Sequence, residues 1–330
     1  MSNGISQTAQ KVTIFIPTYN RCQLLPKALE SALAQTYPWI EVLVLNNGST
    51  DSTKAVLAQY SDERITILEN EHNIYPPDGY RTLAASSGHY WMCLSDDDWL
   101  EPTFLEEVVG LWMKKPELVF VHARCSVESK HGSSLGPGFP DIMEGIELVR
   151  SFFEQRGGPS LCATLFRSED VRRNLGLIQG DYLGDAPLWT SLAFEGRVGF
   201  VDRPLAHYQL SDSSAIVQTL RPVMSDYLKL ASRCQDAFRQ RGLSSKTIKV
   251  LKKACNRGAG AVFASLLFRK ATIGATTASL LAELRASWPI VKRMHWRSYI
   301  IVAKAIMTSN WVLRIILRIG RLIRRARLII

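Results

Sequence analysis

Short apolar runs alternate with segments of helical character through the first 122 residues, and this alternation limits the fold more than any other feature. The apolar runs occupy residues 12–16, 41–45, 65–68, 90–94 and 118–122. Helical segments are predicted at residues 23–35, 51–60 and 80–87 and after Pro102. Because parallel strands need long crossover connections, usually helices, this order predicts βαβ units. We therefore expect an α/β fold with a mostly parallel sheet and helices on both faces.

Polar residues follow three of the predicted strands at the point where each strand ends. They occupy residues 17–20, 46–47 and 96–98. Open α/β sheets bind ligands beyond the carboxyl ends of their strands. The three clusters are therefore predicted to meet at one edge of the sheet and to form a binding site. Residues 129–140 are rich in Gly, Ser and Pro, which predicts a loop near that site.

The third cluster is an acidic triplet formed by Asp96, Asp97 and Asp98. Three adjacent carboxylates at the end of a buried strand are costly without a cation, because like charges oppose each other's ionisation. Mg²⁺ and Mn²⁺ prefer oxygen ligands and are often held by one or two carboxylates together with substrate phosphates. The triplet thus favours a divalent-metal site that grips a diphosphate. The alternative is a solvated turn that caps the helix after Pro102.

Charge divides the 330 residues into two unequal parts. Residues 1–220 carry 17 Lys and Arg against 27 Asp and Glu, whereas residues 221–330 carry 23 against 3. This asymmetry predicts two parts with different partners, one from residue 1 to residue 220 and one from residue 221 to residue 330. A strongly basic part is typical of a protein that meets nucleic acid or an anionic membrane. Six scattered cysteines without a C-x-x-C pattern suit a reducing compartment.

The last twenty residues predict an amphipathic helix that is basic on one side and apolar on the other. Arg314, Arg318, Arg321 and Arg325 recur at helical spacing, and Ile and Leu residues fill much of the opposite face. Arginine is too frequent here for a membrane-spanning helix, so the pattern indicates a helix that lies on an anionic membrane surface. A helical subdomain with solvated cations and a nucleic-acid-binding tail are the alternatives. The apolar face is unusual for phosphate contacts, and we expect no nucleic acid partner.

The ordered set of motifs resembles the family 2 glycosyltransferases, which have a GT-A (Rossmann-like) fold. The matching pieces are residues 16–21, 45–51, 94–102 and 184–189, the last followed by Gly196. The resemblance covers roughly residues 11–215 and leaves out the basic helical C-terminal region. It implies an inverting transferase whose donor is a nucleotide-diphospho-sugar and whose cofactor is Mg²⁺ or Mn²⁺.

The resemblance also implies which residues contact the donor. Thr18 and Tyr19 would lie against the base, where a Tyr ring can stack on any base face. Asn46 stands where the family usually has Asp, so it leaves the identity of the base open. The implied donor-binding residues are Pro17, Thr18, Tyr19, Arg21, Asn46, Arg81, Asp96 and Asp97. A packed ring for Tyr19 and a surface side chain for Arg81 are the alternatives.

The resemblance also implies the metal ligand and the catalytic base. Asp97 matches the usual metal ligand, and a register shift by one residue would make Asp98 the ligand. Asp185 is the implied catalytic base that takes a proton from the acceptor hydroxyl. Asp181 competes with it, and an N-cap role is the alternative for Asp185.

The chain departs from the family where Gln209 and Ser211 replace a usual Arg and a usual metal-binding His. We expect His207 to be a packed or surface histidine rather than a ligand. The function we expect is sugar transfer to a glycan acceptor, lipid-linked and presented at the cytoplasmic face of the membrane, in bacterial-type surface polysaccharide synthesis. The enzyme would be peripheral on that face. A catalytically inactive protein that binds through the same cleft, or a nucleic-acid-binding protein, is the alternative.

Overall fold

The computed structural model describes residues 10–74, 83, 85–130, 132–174, 185–210, 220–240, 245, 248–250, 252–256, 258, 267, 278 and 282. Ten strands of this part form one sheet in the order β3-β2-β1-β4-β9-β6-β10-β5, with β7 added to β6 and β8 to β10. The strands are β1 Val12–Thr18, β2 Ile40–Asn47, β3 Ile65–Asn70, β4 Tyr90–Cys93, β5 Trp99–Leu100, β6 Phe120–Ser129, β7 Gly132–Leu135, β8 Ile142–Glu144, β9 Thr164–Arg167 and β10 Arg197–Gln209. The helices with described bounds are α1 Leu25–Leu33, α2 Thr53–Leu57, α3 Phe104–Lys114, α4 Gly145–Phe153, α5 Ser168–Arg173, α6 Ala186–Ala193 and α7 Leu220–Gln240.

The first half of the sheet is the predicted parallel part. The strand β1 pairs in parallel with β2 and with β4, and β2 pairs in parallel with β3. The apolar side chains of β1, β2 and β4 are buried on both faces of the sheet, as expected for strands covered on each side. The predicted α/β class, with helices on both faces of the sheet, is confirmed.

The second half of the sheet is mixed. Antiparallel β9 joins β4 to β6, and β10 then runs parallel to β6. The pairing of β10 shifts register on both sides of Pro204, which has no N–H to donate to a neighbouring strand. Residues 132–135, predicted as loop, form β7 beside β6. The short strand β5 pairs with the far end of β10, directly after the acidic triplet.

The chain divides into two compact units, one of residues 1–149 with 157–211 and the other of residues 150–156 with 212–330. In the second unit, Tyr227 of α7 is buried and its ring meets that of Phe153 edge-on at 5.5 Å. Cys234, Cys255 and Leu267 are also buried there. The predicted basic amphipathic helix at the end of the chain lies outside the described residues. Among the helices that are described, none is both long enough and apolar enough to cross a membrane.

Candidate functional site

Asn20 and Asp51 tie the loop after β1 to the loop after β2. Asn20 has a φ of +53°, a left-handed conformation that Asn tolerates better than most residues. Its Oδ1 accepts a hydrogen bond from the Thr50 N–H at 2.7 Å, and its own N–H donates to Ser49 Oγ at 3.0 Å. In return, Asp51 Oδ2 accepts from the Cys22 N–H at 3.1 Å. The two strand ends are thus held side by side, with Tyr19 left 40% exposed between the strand and the turn.

Asp51 also supports the start of α2. Its Oδ1 accepts from the Thr53 N–H at 2.9 Å, and the Thr53 hydroxyl is the main cause that lowers the pKa of Asp51 to about 2. Asp51 therefore binds the first residue of α2 and the loop after β1 at the same time. An Asp that stays ionised at this position serves both loops at neutral pH.

Asn46 and Asn47 have different surroundings at the end of β2. Asn47 is buried, donates to Asn73 Oδ1 at 2.7 Å and accepts from Asn70 Nδ2 at 2.8 Å, so it organises the chain after β3. Asn46 is buried too, and its Oδ1 accepts from the Ser49 N–H at 3.2 Å. The carboxamide of Asn46 is therefore oriented by the turn, with its oxygen already in use.

Gly48 completes this corner of the site. Its φ is +73°, and a Cβ at this position would lie 2.5 Å from the carbonyl carbon of His72. Both the conformation and the close approach of the backbone after β3 therefore require glycine.

The three carboxylates of the acidic triplet lie in three different environments. Burial raises the pKa of Asp96 to about 6, against the Thr18 hydroxyl and the Tyr19 amide, which favour its charged form. Burial also raises the pKa of Asp97, and Arg21 opposes this with Nη1 at 3.4 Å from Oδ2. Asp96 and Asp97 therefore face the loop after β1, where the sequence predicts the donor.

Asp98 points the other way, into the protein. It is 2% exposed, and its Oδ1 accepts from the Gln209 N–H at 2.8 Å. Burial raises the pKa of Asp98 to about 7. Because one oxygen already holds the end of β10, Asp97 is better placed than Asp98 to take a cation.

The residues present fit a divalent cation that is held partly by a ligand. No cluster of three or more metal-ligating side chains occurs in the part of the chain that the structure describes. Asp96 and Asp97 nevertheless carry raised pKa values because they are desolvated, and the charge of Asp97 further raises that of Asp96. A cation would stabilise both ionised forms. Two carboxylates completed by phosphate oxygens are a common Mg²⁺ arrangement.

Asp185 occupies the N-cap position of α6 without capping it through its side chain. Its carbonyl accepts from the N–H groups of Leu188 and Trp189 at 3.0 and 3.1 Å, while its carboxyl makes no capping hydrogen bond to described residues. Burial raises the pKa of Asp185 to about 7. The amides of Asp185 and Ala186 oppose this shift by favouring the charged carboxyl, and the remaining pKa lets the group exchange a proton near neutral pH.

Asp185 and two residues of the triplet act electrostatically on the same side chain, Cys93. This thiol is buried at the end of β4. Burial raises its pKa, and the negative charges of Asp98, Asp185 and Asp96 raise it further. Carboxylates separated by almost ninety residues of sequence therefore influence a single side chain. The charge of the predicted base and that of Asp98, a predicted metal ligand, both reach this thiol.

His207 is packed, as the sequence predicts. Its Nδ1 lies 3.0 Å from Glu128 Oε1 and its Nε2 lies 2.8 Å from Glu101 Oε1. Its ring stacks on Trp99 with centroids 4.7 Å apart and planes 6° apart. These contacts fix the position of the strand end that binds Asp98.

Several residues named from the sequence cannot be placed. Arg81, Asp181 and Ser211 lie outside the described residues. The sequence reading missed the roles of Asn20, Asn47 and the backbone of Gln209. The only local signal for them was the presence of polar residues at the strand ends.

The sequence model of the family described as "Glycosyl transferase family 2" matches residues 13–172. A curated Campylobacter jejuni protein, "GalNAc(5)-diNAcBac-PP-undecaprenol beta-1,3-glucosyltransferase", is 24% identical over 255 residues, which are 74% of this chain and 79% of that protein. In several other curated relatives the matched segment spans only 13–33% of their length.

Two solved structures share the fold. The crystal structure of S. aureus TarS 1-349 in complex with UDP-GlcNAc superposes with a TM-score of 0.56 at 14% identity, over 91% of this chain and 89% of that chain. The mannosyltransferase PcManGT from Pyrobaculum calidifontis, in complex with GDP-Man and Mn²⁺, superposes with a TM-score of 0.51 at 17% identity, over 92% and 86%. At these identities the similarity concerns the fold alone.

Proposed function

Residues 13–172 place the chain in glycosyl transferase family 2, and on that premise we propose that it transfers a sugar from a nucleotide-diphospho-sugar to a glycan acceptor with inversion at the anomeric carbon. The observation that carries this proposal is that the charges of Asp185, Asp96 and Asp98 all act on the buried thiol of Cys93. A carboxyl with a pKa of about 7 thereby shares a site with the strand-end carboxylates.

Asp185 is the proposed general base. In its charged form it takes the proton of the acceptor hydroxyl as that oxygen forms a bond to the anomeric carbon, and the bond from that carbon to the diphosphate oxygen breaks. The nucleoside diphosphate leaves with the electron pair. A base whose pKa lies near the working pH is ionised in a substantial fraction of the molecules and still accepts a proton strongly.

The loops after β1 and β2 are the proposed donor site. Tyr19 offers an exposed ring to the base. It directly follows Pro17 and Thr18, the last two residues of β1, which position it at the end of this strand. Asn46, with Oδ1 engaged by Ser49, would meet an acceptor atom on the base edge through its NH₂ group. Arg21 is close enough to Asp97 to reach a phosphate bound beside it.

Asp97, together with Asp96 or Asp98, would hold Mg²⁺ or Mn²⁺. The cation would neutralise negative charge on the departing diphosphate. The PcManGT structure contains Mn²⁺ with GDP-Man, in line with this proposal.

The acceptor we propose is a lipid-linked glycan of bacterial-type surface polysaccharide synthesis. The Campylobacter jejuni relative is named for a substrate linked to undecaprenyl diphosphate. The excess of cations in residues 221–330 would hold the chain at an anionic membrane surface on the cytoplasmic side, close to such lipids. Nucleic acid has no part in this proposal.

A donor screen tests the proposed function. The full chain is incubated with a panel of UDP-, GDP- and dTDP-sugars, with Mg²⁺, with Mn²⁺ or with chelator, and release of nucleoside diphosphate is measured. We expect release from one nucleotide class, dependent on the cation and lost in Asp185→Asn when acceptor is present. Absence of release from every donor with lipid-linked acceptors supplied would favour the catalytically inactive alternative.

A further inference from the structure

A polar cavity borders the strand that anchors Asp98, and the reaction described above leaves it unused. Its volume is about 400 Å³, within the ~300–1,000 Å³ usual for small-molecule sites. The segment after β5, the end of β6, β7 and part of β10 form its walls. His207, one of its lining residues, lies two positions before Gln209, about 7 Å along the strand. The cavity is therefore next to the triplet, because His207 pairs with Trp99, the residue after Asp98.

His207 contacts one carboxylate oxygen of each of two glutamates that line this cavity. Its Nδ1 lies 3.0 Å from Oε1 of Glu128 and its Nε2 lies 2.8 Å from Oε1 of Glu101. Within the described part of the chain, Oε2 of each carboxylate has no hydrogen-bond partner. Glu101 is 46% exposed at its side chain. Two carboxylate oxygens, held in place by one ring, are thus available to accept hydrogen bonds from a ligand.

Two cations beside the cavity already have acidic partners. The Lys27 ammonium lies over the Trp99 ring and interacts electrostatically with Glu128. The guanidinium of Arg203 pairs with Glu107. The described residues contain no cluster of three or more side chains that could hold a metal ion, and an anion would be repelled by the two carboxylates. An apolar ligand would bury those oxygens without hydrogen-bond partners, which is unfavourable.

Hydroxyl groups are the ligand chemistry that remains. Each sugar hydroxyl can donate to a carboxylate oxygen. The hydroxyls of Ser126 and Ser133 already donate to Oε1 of Glu128, at 2.7 and 3.0 Å, so they hold that carboxylate in place and leave its Oε2 to a ligand. We propose that this cavity binds a neutral sugar residue of the acceptor glycan by accepting its hydroxyl protons at Glu101 and Glu128. This inference rests on the proposed function, because it assigns the acceptor of that same reaction.

Ligand-observed NMR on the full chain tests the cavity without any donor. The probes are the methyl β-glycosides of glucose, galactose, N-acetylglucosamine and N-acetylgalactosamine. We expect saturation transfer to at least one of them in the wild type. The dissociation constant should rise at least tenfold in Glu101→Gln, which keeps the bond to His207, and in Leu135→Trp, which fills the cavity from an exposed wall position. Glu117→Gln, whose carboxylate pairs with Arg197 away from the cavity, is the control and should bind as the wild type does.

Saturation transfer to none of the glycosides, or equal binding by the wild type and both cavity variants, would overturn the proposal. A separate measurement of nucleotide release shows whether the proposed function fails together with the cavity or independently of it. Glycoside binding that Glu101→Gln weakens, in a chain that turns over no donor, would support the cavity and reject the transferase. Turnover with an acceptor KM that Glu101→Gln leaves unchanged would reject the cavity and keep the transferase.

Discussion

The backbone N–H of Gln209 donates to Oδ1 of Asp98 over 2.8 Å, and this bond joins the last residue of β10 to the last carboxylate of the acidic triplet. Asp98 thereby differs from its two neighbours, which face the loop after β1. It acts as a link between two strand ends. A row of three identical residues in the sequence thus holds two kinds of carboxylate.

The first prediction concerns this bond. Asp98→Ala leaves the N–H of Gln209 without its acceptor and should lower the free energy of unfolding by about 1–3 kcal/mol. Asp98→Asn keeps an acceptor oxygen and should recover most of that loss. Urea unfolding at pH 4 is the measurement, because the carboxyl with a pKa near 7 is then largely neutral and its charge contributes little. Equal losses in both variants would show that the hydrogen bond is not what matters.

The second prediction concerns the pH dependence of stability at Asp185. Burial raises its pKa to about 7 in the folded chain from an ordinary value of 3.8. Between these two values the unfolded chain holds fewer protons than the folded one, so this carboxyl lowers stability as the pH rises from about 4 to about 7. Asp185→Asn removes that penalty. The variant should gain about 1–3 kcal/mol on the wild type between pH 4 and pH 8.

Thermal or urea unfolding of the wild type and of Asp185→Asn, across this pH range, measures the difference in stability. Glu117→Asn serves as control, since that exposed carboxylate has no such burial. Asp185→Asn should also abolish transfer and spare donor binding. Wild-type transfer should fall about tenfold for each pH unit below about 7 as the base is protonated. A stability difference that does not change with pH, or substantial residual transfer, would remove Asp185 from its proposed role.

The third prediction separates Asp97 from Asp98 as the metal ligand. Asp97→Asn should weaken the Mn²⁺-dependent part of nucleoside diphosphate binding at least tenfold, because the cation loses a charged ligand. Asp98→Asn should weaken it far less, since that carboxylate serves Gln209. Calorimetry with UDP and GDP, with Mn²⁺ and with chelator, measures both. A larger loss in Asp98→Asn would assign the ligand to Asp98 and shift the register by one residue.

The parallel half of the sheet could be predicted because its strands carry their own signal. The strands β1, β2 and β4 are buried on both faces, so each is a continuous apolar run that stands out from its surroundings. The strand β10 has no such run. Its middle contains Asp202, Arg203 and Pro204, which are exposed at a break in the pairing. The strand β7 has no apolar pattern that would predict it, and its four exposed residues pair with β6.

The site could be predicted as far as its carboxylates and no further. The positions of Asp96, Asp97 and Asp185 follow from motifs that a sequence displays directly. The bond of Asn20 to Thr50 joins residues thirty positions apart, and that of Asp98 to Gln209 spans 111. Both use backbone groups, which every residue has. Composition and periodicity therefore carry no record of them, and only the fold shows them.

The fourth prediction concerns the end of the chain. Removal of residues 309–330 takes away six arginines, each of which contributes about 1 kcal/mol of attraction to an anionic leaflet. The shortened chain should lose binding to vesicles that contain phosphatidylglycerol, as measured by co-sedimentation. Vesicles of phosphatidylcholine alone are the control and should bind neither chain well. Full retention by the shortened chain would move the membrane contact to the earlier cations of residues 221–308.

The fifth prediction tests whether the link between the first two loops shapes the donor site. Asn20→Gly permits the φ of +53° and removes the side-chain bonds to Thr50 and Asp51, whereas Asn20→Ala removes the bonds and adds about 1–2 kcal/mol of backbone strain. Both variants should bind UDP or GDP about three- to tenfold more weakly, because Tyr19 is no longer held beside the second loop. In urea unfolding, only Asn20→Ala should also show the loss of stability that this backbone strain causes. If Asn20→Gly binds the nucleotides as tightly as the wild type, the conformation of the turn, and not the link to Thr50, positions Tyr19.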